Sequence, residues 1–257
     1  MTHQNEYHDN MVTMLELIWG EGYMAPGGPG NVARLLDGLD PADKRVLDVG
    51  CGIGGPAFEM AQSFGAEVVG VDLEAPLIER ATAAAKKSGL QDQCRFETAE
   101  IGALPFPDQS FDIVVSSGAI TQTSNAGDLI NDCFRVVAPG GFLTCYEWMR
   151  SEAEYSEDML NWFEIEGLTY ALKTLHEFGV LLRDAGFASV ETTDASDWYR
   201  TEVRREYELI KGDLYERMTE LLGKDDADHF VEDWRAMAIV CKSGELRQGY
   251  CRGRRPE

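Results

Sequence analysis

A glycine-rich segment, VLDVGCGIGGPAFEMAQSFGAEVVGVD at residues 46–72, combines residue types that can hold a ligand against the backbone. Glycines alternate from Gly50 to Gly54, and an aspartate stands near each end of the segment, at Asp48 and Asp72. Because glycine has no Cβ atom, it lets the backbone approach a ligand closely. The segment therefore predicts a binding turn between a strand and a helix.

The two aspartates indicate what kind of ligand this turn would hold. Glycine-rich turns of this type commonly hold a dinucleotide, whose pyrophosphate lies at the helix N-terminus. Asp48 shortly precedes the first glycine, and its charge would repel a pyrophosphate but attract an ammonium group. Asp72 ends the second predicted strand, where such folds place a carboxylate on a ribose diol. A ligand with a ribose, a cationic amino-acid end and no phosphate is S-adenosylmethionine.

The overall charge argues against several classes of partner. The 257 residues include 45 Asp and Glu against 23 Lys and Arg, for a net charge of -22. Nucleic acids and anionic membranes need basic patches, so we expect a small molecule as the partner instead. The cysteines lack zinc-binding spacing, so no metal is expected. No apolar run is long enough to span a membrane and no signal-peptide pattern is present, so we expect a cytoplasmic protein.

Strands and helices that could position the glycine turn alternate through the first part of the chain. Short apolar runs that suit buried strands alternate with segments of helical spacing. This alternation is typical of βαβ units in a mostly parallel, doubly wound α/β sheet. The predicted strands cover residues 45–50, 67–72, 94–99, 111–117 and 141–148, and the predicted helices cover 5–18, 30–37, 55–65, 75–89 and 126–138.

Four segments together resemble the class I S-adenosylmethionine-dependent methyltransferases. VLDVGCGIGG is similar to the first motif of that family, and VVGVD is similar to the second. FETAEIGALPFPDQSFDIVVSS resembles the segment from the third to the fourth strand, and RVVAPGGFL resembles the turn after the next helix. The resemblance implies an enzyme with a Rossmann-like fold that uses S-adenosylmethionine as its cofactor.

The same resemblance implies a set of cofactor-binding residues. They are Asp48, Gly50, Gly52, Asp72, Leu73, Glu100, Ile101 and Ser116. The first three would line the methionine end of the cofactor, and Asp72 would hold the ribose hydroxyls. Leu73, Glu100 and Ile101 would contact the adenine. Ser116 would lead from the fourth strand into the active site.

The flanking segments resemble a narrower group of enzymes. LELIWGEGYMAPGG is similar to the lid of phosphoethanolamine N-methyltransferases and, more loosely, of sarcosine/dimethylglycine N-methyltransferases, and the tail SGELRQGYCRGRR is similar to their last strand. The resemblance implies one methyltransferase domain over residues 1–257. It would have a helical lid in 1–43, a cofactor-binding core in 44–150, and a helical cap with the last strands in 151–257.

The positions expected to bind the methyl acceptor depart from those N-methyltransferases. Gly118 and Gln122 stand where the family has an aspartate and a histidine, and Leu168 stands where the phosphobase enzymes have a phosphate-binding arginine. Tyr170 is retained, and Glu147 stands where a tyrosine is expected. Aromatic residues are dense after residue 150, which would suit a cationic or methylated group. These features favour a small amine or zwitterion over a phosphobase as the acceptor.

Two further sets of residues follow from this interpretation. The predicted catalytic residues are Tyr23, which the resemblance places across the cofactor, Gln122 and Glu147. The predicted substrate-binding residues are Tyr23, Tyr170, Arg247 and Arg252, with the arginines for a carboxylate. Two alternatives remain open: S-methylation of a thioether acid such as methionine or a methylthio acid, and a non-catalytic S-adenosylmethionine-binding protein.

Overall fold

Seven strands form one sheet in the computed structural model, which describes residues 7–100, 102–168 and 170–257. They are β1 (Arg45–Val49), β2 (Glu67–Asp72), β3 (Cys94–Thr98), β4 (Phe111–Ser117), β5 (Val137–Arg150), β6 (Ala188–Asp194) and β7 (Leu246–Arg254). Their order across the sheet is β3-β2-β1-β4-β5-β7-β6. Only β7 is antiparallel to its neighbours. The predicted doubly wound, mostly parallel α/β fold is confirmed.

The helices are numbered in chain order. They are α1 (Asp9–Trp19), α2 (Gly28–Leu35), α3 (Gly55–Phe64), α4 (Ala75–Ser88), α5 (Ala126–Val136), α6 (Glu157–Glu166), α7 (Leu175–Asp184), α8 (Ser196–Lys211), α9 (Tyr215–Leu222) and α10 (Lys224–Ser243), and a 3-10 turn covers Ile120–Gln122. The predicted boundaries shift by a few residues. The helix predicted to reach residue 138 ends at Val136, because Val137 already pairs with Phe111 of β4. No helix of the described residues is long and apolar enough to cross a membrane.

Apolar side chains of β1 alternate between two cores, one on each face of the sheet. Val46 packs in a cluster with Leu35 of α2 and Met60 of α3. Leu47 packs on the opposite face, in a cluster with Ile130 of α5 that also includes residues of α7. Because both faces are covered, the strands can be apolar along their length, as the sequence pattern predicted.

A third apolar core joins the N-terminal helix to the cap helices. Met14 of α1 lies in one buried cluster with Trp162 of α6, Val203 of α8 and Trp234 of α10. Helix α1 is therefore packed against the cap by side chains that are far apart in the sequence. This layer of helices covers the carboxyl ends of the central strands.

A close contact between two glycines fixes the loop that follows α1. The N–H of Gly55, the first residue of α3, donates to the carbonyl oxygen of Gly22 over 3.0 Å. A Cβ atom on Gly55 would lie 2.3 Å from that oxygen. Only glycine at this position lets the loop reach the start of α3.

We predict that Gly55→Ala destabilises the protein, since the added methyl group must push the 20–27 loop away from α3. The expected loss is about 1–3 kcal/mol of the free energy of unfolding, the range for overpacking. Gly30→Ala is the matched control, because Gly30 lies in α2 with nothing within 4 Å of an added Cβ. It should leave stability unchanged or raise it by up to about 1 kcal/mol, the helix propensity difference. Equal urea-unfolding midpoints for the two variants would contradict the prediction.

Candidate functional site

A cavity of about 750 Å³ opens where β1, β2 and β4 end. Its strand end, as we call it, is lined by Gly50, Gly52, Asp72, Leu73 and Glu100, and its aromatic end by Trp19, Trp148, Trp162, Glu166, Tyr170, Phe230, Asp233 and Trp234. The cavity lies at the switch point of the sheet, between the halves that extend from β1 and from β4. Open α/β sheets bind their ligands at this place.

Hydrogen bonds from the turn after β1 lock the strand end. The N–H groups of Gly50 and Cys51 both donate to the carbonyl oxygen of Val71, over 2.8 and 3.0 Å. The carboxylate of Asp72 accepts the N–H of Gly52 at Oδ2 over 2.9 Å and that of Glu74 at Oδ1 over 3.0 Å. Asp72 is thereby held at the cavity wall as the sequence interpretation expects, by backbone donors on both of its oxygens.

The carboxyl group of Asp48 is buried without a complete set of partners. Asp48 is 1% exposed, and its Oδ2 has no hydrogen-bond partner. Burial, with a smaller effect of Asp72, raises the pKa of Asp48 to about 7. Buried polar atoms are nearly always hydrogen-bonded, so this unpaired oxygen just before the glycine turn needs a donor that the described protein groups do not supply.

Rings and carboxylates together form the aromatic end. The ring of Tyr170 stacks on Trp162 at a centroid distance of 5.5 Å and an interplanar angle of 26°. The hydroxyl of Tyr170 donates to Oε1 of Glu166 over 3.0 Å, and Nε1 of Trp162 donates to Oδ1 of Asp233 over 3.1 Å. Among the described lining residues there is no lysine, arginine or histidine. This end of the cavity is therefore suited to a cation.

One buried carboxylate, Glu206 of α8, holds two walls of the aromatic end in place. It accepts the Nε1–H of Trp19 over 2.9 Å, the Nε1–H of Trp234 over 3.0 Å and the hydroxyl of Tyr199 over 3.3 Å. Burial raises its pKa, although these donors act in the opposite direction. The sequence interpretation missed Glu206, because no spacing pattern connects an acid in α8 with tryptophans in α1 and α10.

Tyr7 and helix α1 cover one side of the cavity. Nε2 of Gln122 donates to the hydroxyl of Tyr7, and the backbone N–H of Tyr7 donates to Oε1 of Glu74 over 3.3 Å. Glu16 of α1 accepts the N–H of Gly22 over 2.8 Å and forms an ion pair with Arg80 over 3.3 Å. Tyr7, Gln122 and Glu74 all line the cavity. A ligand at the strand end would therefore be covered by α1 and Tyr7.

Comparisons with known proteins identify this arrangement. Residues 46–141, which include β1, β2, β4 and the glycine turn, match the family model described as a methyltransferase domain. These residues form a methyltransferase domain. The chain is 30% identical over 245 residues to phosphoethanolamine N-methyltransferase 3 of Arabidopsis thaliana, and the match covers 95% of this chain and 49% of that protein. The chain thus spans about half the length of this curated relative.

Two solved structures share the fold of the whole described chain. Phosphoethanolamine N-methyltransferase 2 of Haemonchus contortus, in complex with phosphomonomethylethanolamine and S-adenosylhomocysteine, has a TM-score of 0.92 at 23% identity, covering 99% of this chain and 59% of that one. A protein of Galdieria sulphuraria titled a putative sarcosine dimethylglycine methyltransferase has a TM-score of 0.83 at 17% identity, covering 97% and 99%. At these identities the likeness is one of fold, and it agrees with the Rossmann-like class I methyltransferase fold expected from the sequence.

The fold brings many of the predicted site residues to the cavity. Those that line it are Gly50, Gly52, Asp72, Leu73, Glu100, Gln122 and Tyr170. Asp48 and Ser116 lie behind the lining, each at most 1% exposed. Ile101 falls outside the described residues.

Tyr23 and Glu147 are not among the residues that line the cavity, where the sequence interpretation expected them. Tyr23 is 8% exposed and packs with Val32 in the core beside α2, where burial raises the pKa of its hydroxyl. Glu147 is fully buried, and its carboxylate accepts the Ser116 hydroxyl over 3.1 Å and the Thr121 N–H over 3.2 Å. Burial raises the pKa of Glu147 to about 7. Glu147 supports the turn after β4 and does not face the cavity.

The two arginines predicted to bind an acceptor carboxylate are also engaged elsewhere. Arg252 donates to the carbonyl oxygens of Asp37 and Leu35, over 2.7 and 2.9 Å, and so caps the end of α2. Arg247 pairs with Asp194 over 3.4 Å and donates to the Gly244 carbonyl over 2.9 Å. Neither lines the cavity. In β7 they are bound to α2, Asp194 and Gly244, which differs from the role that the sequence interpretation gave them.

We predict that Asp48→Asn stabilises the methyltransferase domain increasingly as pH rises from about 4 to about 7. The pKa of Asp48 is about 7 in the folded chain and about 3.9 in an unfolded one. The wild type therefore has its full stability from this group below about pH 4 and loses it as the pH rises through the folded pKa. A neutral amide has no such loss, so the difference should grow by on the order of 2–4 kcal/mol.

Urea unfolding at several pH values measures this difference. The exposed Asp92 provides the control, because Asp92→Asn removes the same charge from a loop residue that is open to water. Its stability curve should run parallel to that of the wild type. A constant difference between Asp48→Asn and the wild type across this pH range would refute the prediction.

Proposed function

We propose that this chain is an S-adenosylmethionine-dependent methyltransferase that transfers the methyl group to the nitrogen of a small amine. One observation carries the proposal: a single cavity joins the glycine turn and Asp72 at its strand end to rings and carboxylates at its aromatic end. A cofactor at the strand end and an acceptor at the aromatic end would share one enclosed space.

The residues at the strand end fit S-adenosylmethionine. Asp72 lines the cavity at the end of β2, where a carboxylate can accept both ribose hydroxyls. A Cβ atom on Gly50 would lie 2.1 Å from Cβ of Ala119, so only glycine fits where the turn packs against Ala119 in the cavity wall. Leu73 and Glu100 stand beside Asp72 for the adenine, and the unpaired oxygen of Asp48 suits the ammonium of the methionine end.

Alignment and exclusion of water are the main tasks left to the protein. When bound, the cofactor would supply a methyl group activated by its sulfonium sulfur, so that the amine nitrogen could bond to the methyl carbon as the carbon–sulfur bond breaks and a neutral thioether leaves. Helix α1, Tyr7 and the cap cover the cavity, which holds the reactants together and excludes water. An ammonium must lose its proton before it can attack. Glu166 and Asp233 are the carboxylates of the aromatic end that could take that proton.

We further propose that the protein works in the cytoplasm. All six cysteines are free and buried, and none is paired in a disulfide. Unpaired cysteines are typical of reducing compartments.

We predict that Asp72→Ala weakens binding of S-adenosylmethionine by about 2–4 kcal/mol, because two charge-assisted hydrogen bonds to the ribose are lost. Calorimetry with purified protein measures this directly, and thermal melting shows whether the turn after β1 survives the loss of its two backbone contacts. Asp92→Ala is the matched control and should bind like the wild type. Unchanged affinity in a folded Asp72→Ala variant would refute the assignment of the cofactor site.

The pH dependence of turnover separates nitrogen from sulfur as the methylated atom. For an amine acceptor, kcat/KM should rise with pH up to the pKa of that amine, since only the neutral nitrogen attacks. A thioether carries no such proton. A flat profile with a sulfonium product would favour the S-methylation alternative. Binding of the cofactor with no product from any amine or thioether would favour a non-catalytic protein.

A further inference from the structure

The charged side chains of the described cavity lining are all acidic. Five carboxylates line it: Asp72, Glu74, Glu100, Glu166 and Asp233. No lysine, arginine or histidine faces them among the described residues of the lining. The strand-end carboxylates have assigned partners in the proposed cofactor, but Glu166 and Asp233 stand apart from it at the aromatic end. No cation of the described lining balances their charge, which a proton or a bound cation can compensate.

From this lining we infer that the methyl acceptor is an organic amine that carries neither phosphate nor carboxylate, bound by Glu166, Asp233 and the rings beside them. The inference rests on the proposed function and specifies its substrate class. It also replaces the zwitterion expected from the sequence, because the arginines meant for its carboxylate are bound elsewhere.

The geometry of the carboxylate pair supports a cationic guest. Asp233 is 2% exposed, and Trp162 donates to its Oδ1 over 3.1 Å. Burial, together with the nearby carboxylate of Glu166, raises the pKa of Asp233. Two carboxylates placed near each other repel unless a proton or a cation compensates their charge. An ammonium group at this place would relieve that repulsion with N–H donors of its own.

The rings of the aromatic end supply the second part of such a site. Trp162 and Tyr170 are stacked and lie next to the carboxylates. Trp148, on β5, and Trp19, on α1, line the same space. Aromatic faces attract ammonium and methylated ammonium groups, most strongly where water is excluded. The site can therefore accept both the amine and its methylated product.

The same lining would repel an anionic group on the acceptor. A phosphate or carboxylate needs a cation or several donors when it is removed from water. The lining around Leu168, where the resemblance places a phosphate-binding arginine, offers an apolar side chain and Glu166 two residues before it. Like charges placed together select against a ligand. The solved relative with phosphomonomethylethanolamine bound therefore differs from this chain in acceptor class.

Choline and phosphocholine test the inference because they differ only in the phosphate. Their binding is measured by calorimetry on the full chain saturated with S-adenosylhomocysteine. Choline should bind at least about tenfold more tightly, a gap of about 1.4 kcal/mol. Equal or tighter binding of phosphocholine would overturn the inference. Failure of S-adenosylhomocysteine itself to bind would instead count against the proposed function, so the two failures are distinguishable.

Glu166→Gln tests the role of the carboxylate pair. It should weaken choline binding by about tenfold or more, a loss of about 1.4 kcal/mol, and reduce the preference over phosphocholine. Glu164→Gln is the matched control, because Glu164 is exposed on the same helix and lies outside the cavity lining. It should change neither value. Equal effects of the two substitutions would show that net charge alone matters and would overturn the assigned site. If Glu166→Gln does not fold, the comparison of choline with phosphocholine on the wild type still decides the acceptor class.

Discussion

The carbonyl oxygen of Val71 accepts two consecutive N–H groups, those of Gly50 and Cys51, where β1 passes into the glycine turn. This shared acceptor ties the end of β1 to the end of β2, whose residues pair in register up to Val49 and Val71. The next residue of β2, Asp72, then receives the N–H of Gly52. The direction of the turn and the position of the Asp72 carboxylate are thus fixed by one set of bonds, on which the strand end of the cavity depends.

Buried carboxylates organise the rest of the site. Glu147 accepts hydrogen bonds from the end of β4 and the turn after it, and Glu206 accepts hydrogen bonds from both Trp19 of α1 and Trp234 of α10. Asp48 lies below the glycine turn with one oxygen unpaired. Each of these groups costs stability because burial disfavours its charged form. Three such buried carboxyl groups lie around one cavity. Strongly shifted pKa values cluster in this way at functional sites.

The sheet and the glycine turn could be predicted from the sequence because both depend on local patterns. Alternating apolar segments predicted the parallel strands, and the position of Asp72 after a strand predicted its place in the cavity. The acceptor side could not be predicted in this way. Arg252 and Tyr23 were assigned by residue type and resemblance, whereas their directions depend on packing between α2, β7 and the loop after α1. Glu206 gave no local signal, since its partners lie in two other helices.

The acidic charge of the described cavity lining has a consequence for product release. In the proposed reaction a unit of positive charge moves from sulfur to nitrogen with the methyl group. The used cofactor thereby loses its sulfonium charge but keeps the ribose and ammonium groups assigned to Asp72 and Asp48, while the methylated amine carries a positive charge. In this proposal the carboxylates of the aromatic end attract the amine before and after the transfer, whereas the used cofactor has lost one of its charges. An amine held in this way can meet a second cofactor, so the lining favours repeated methylation of one nitrogen.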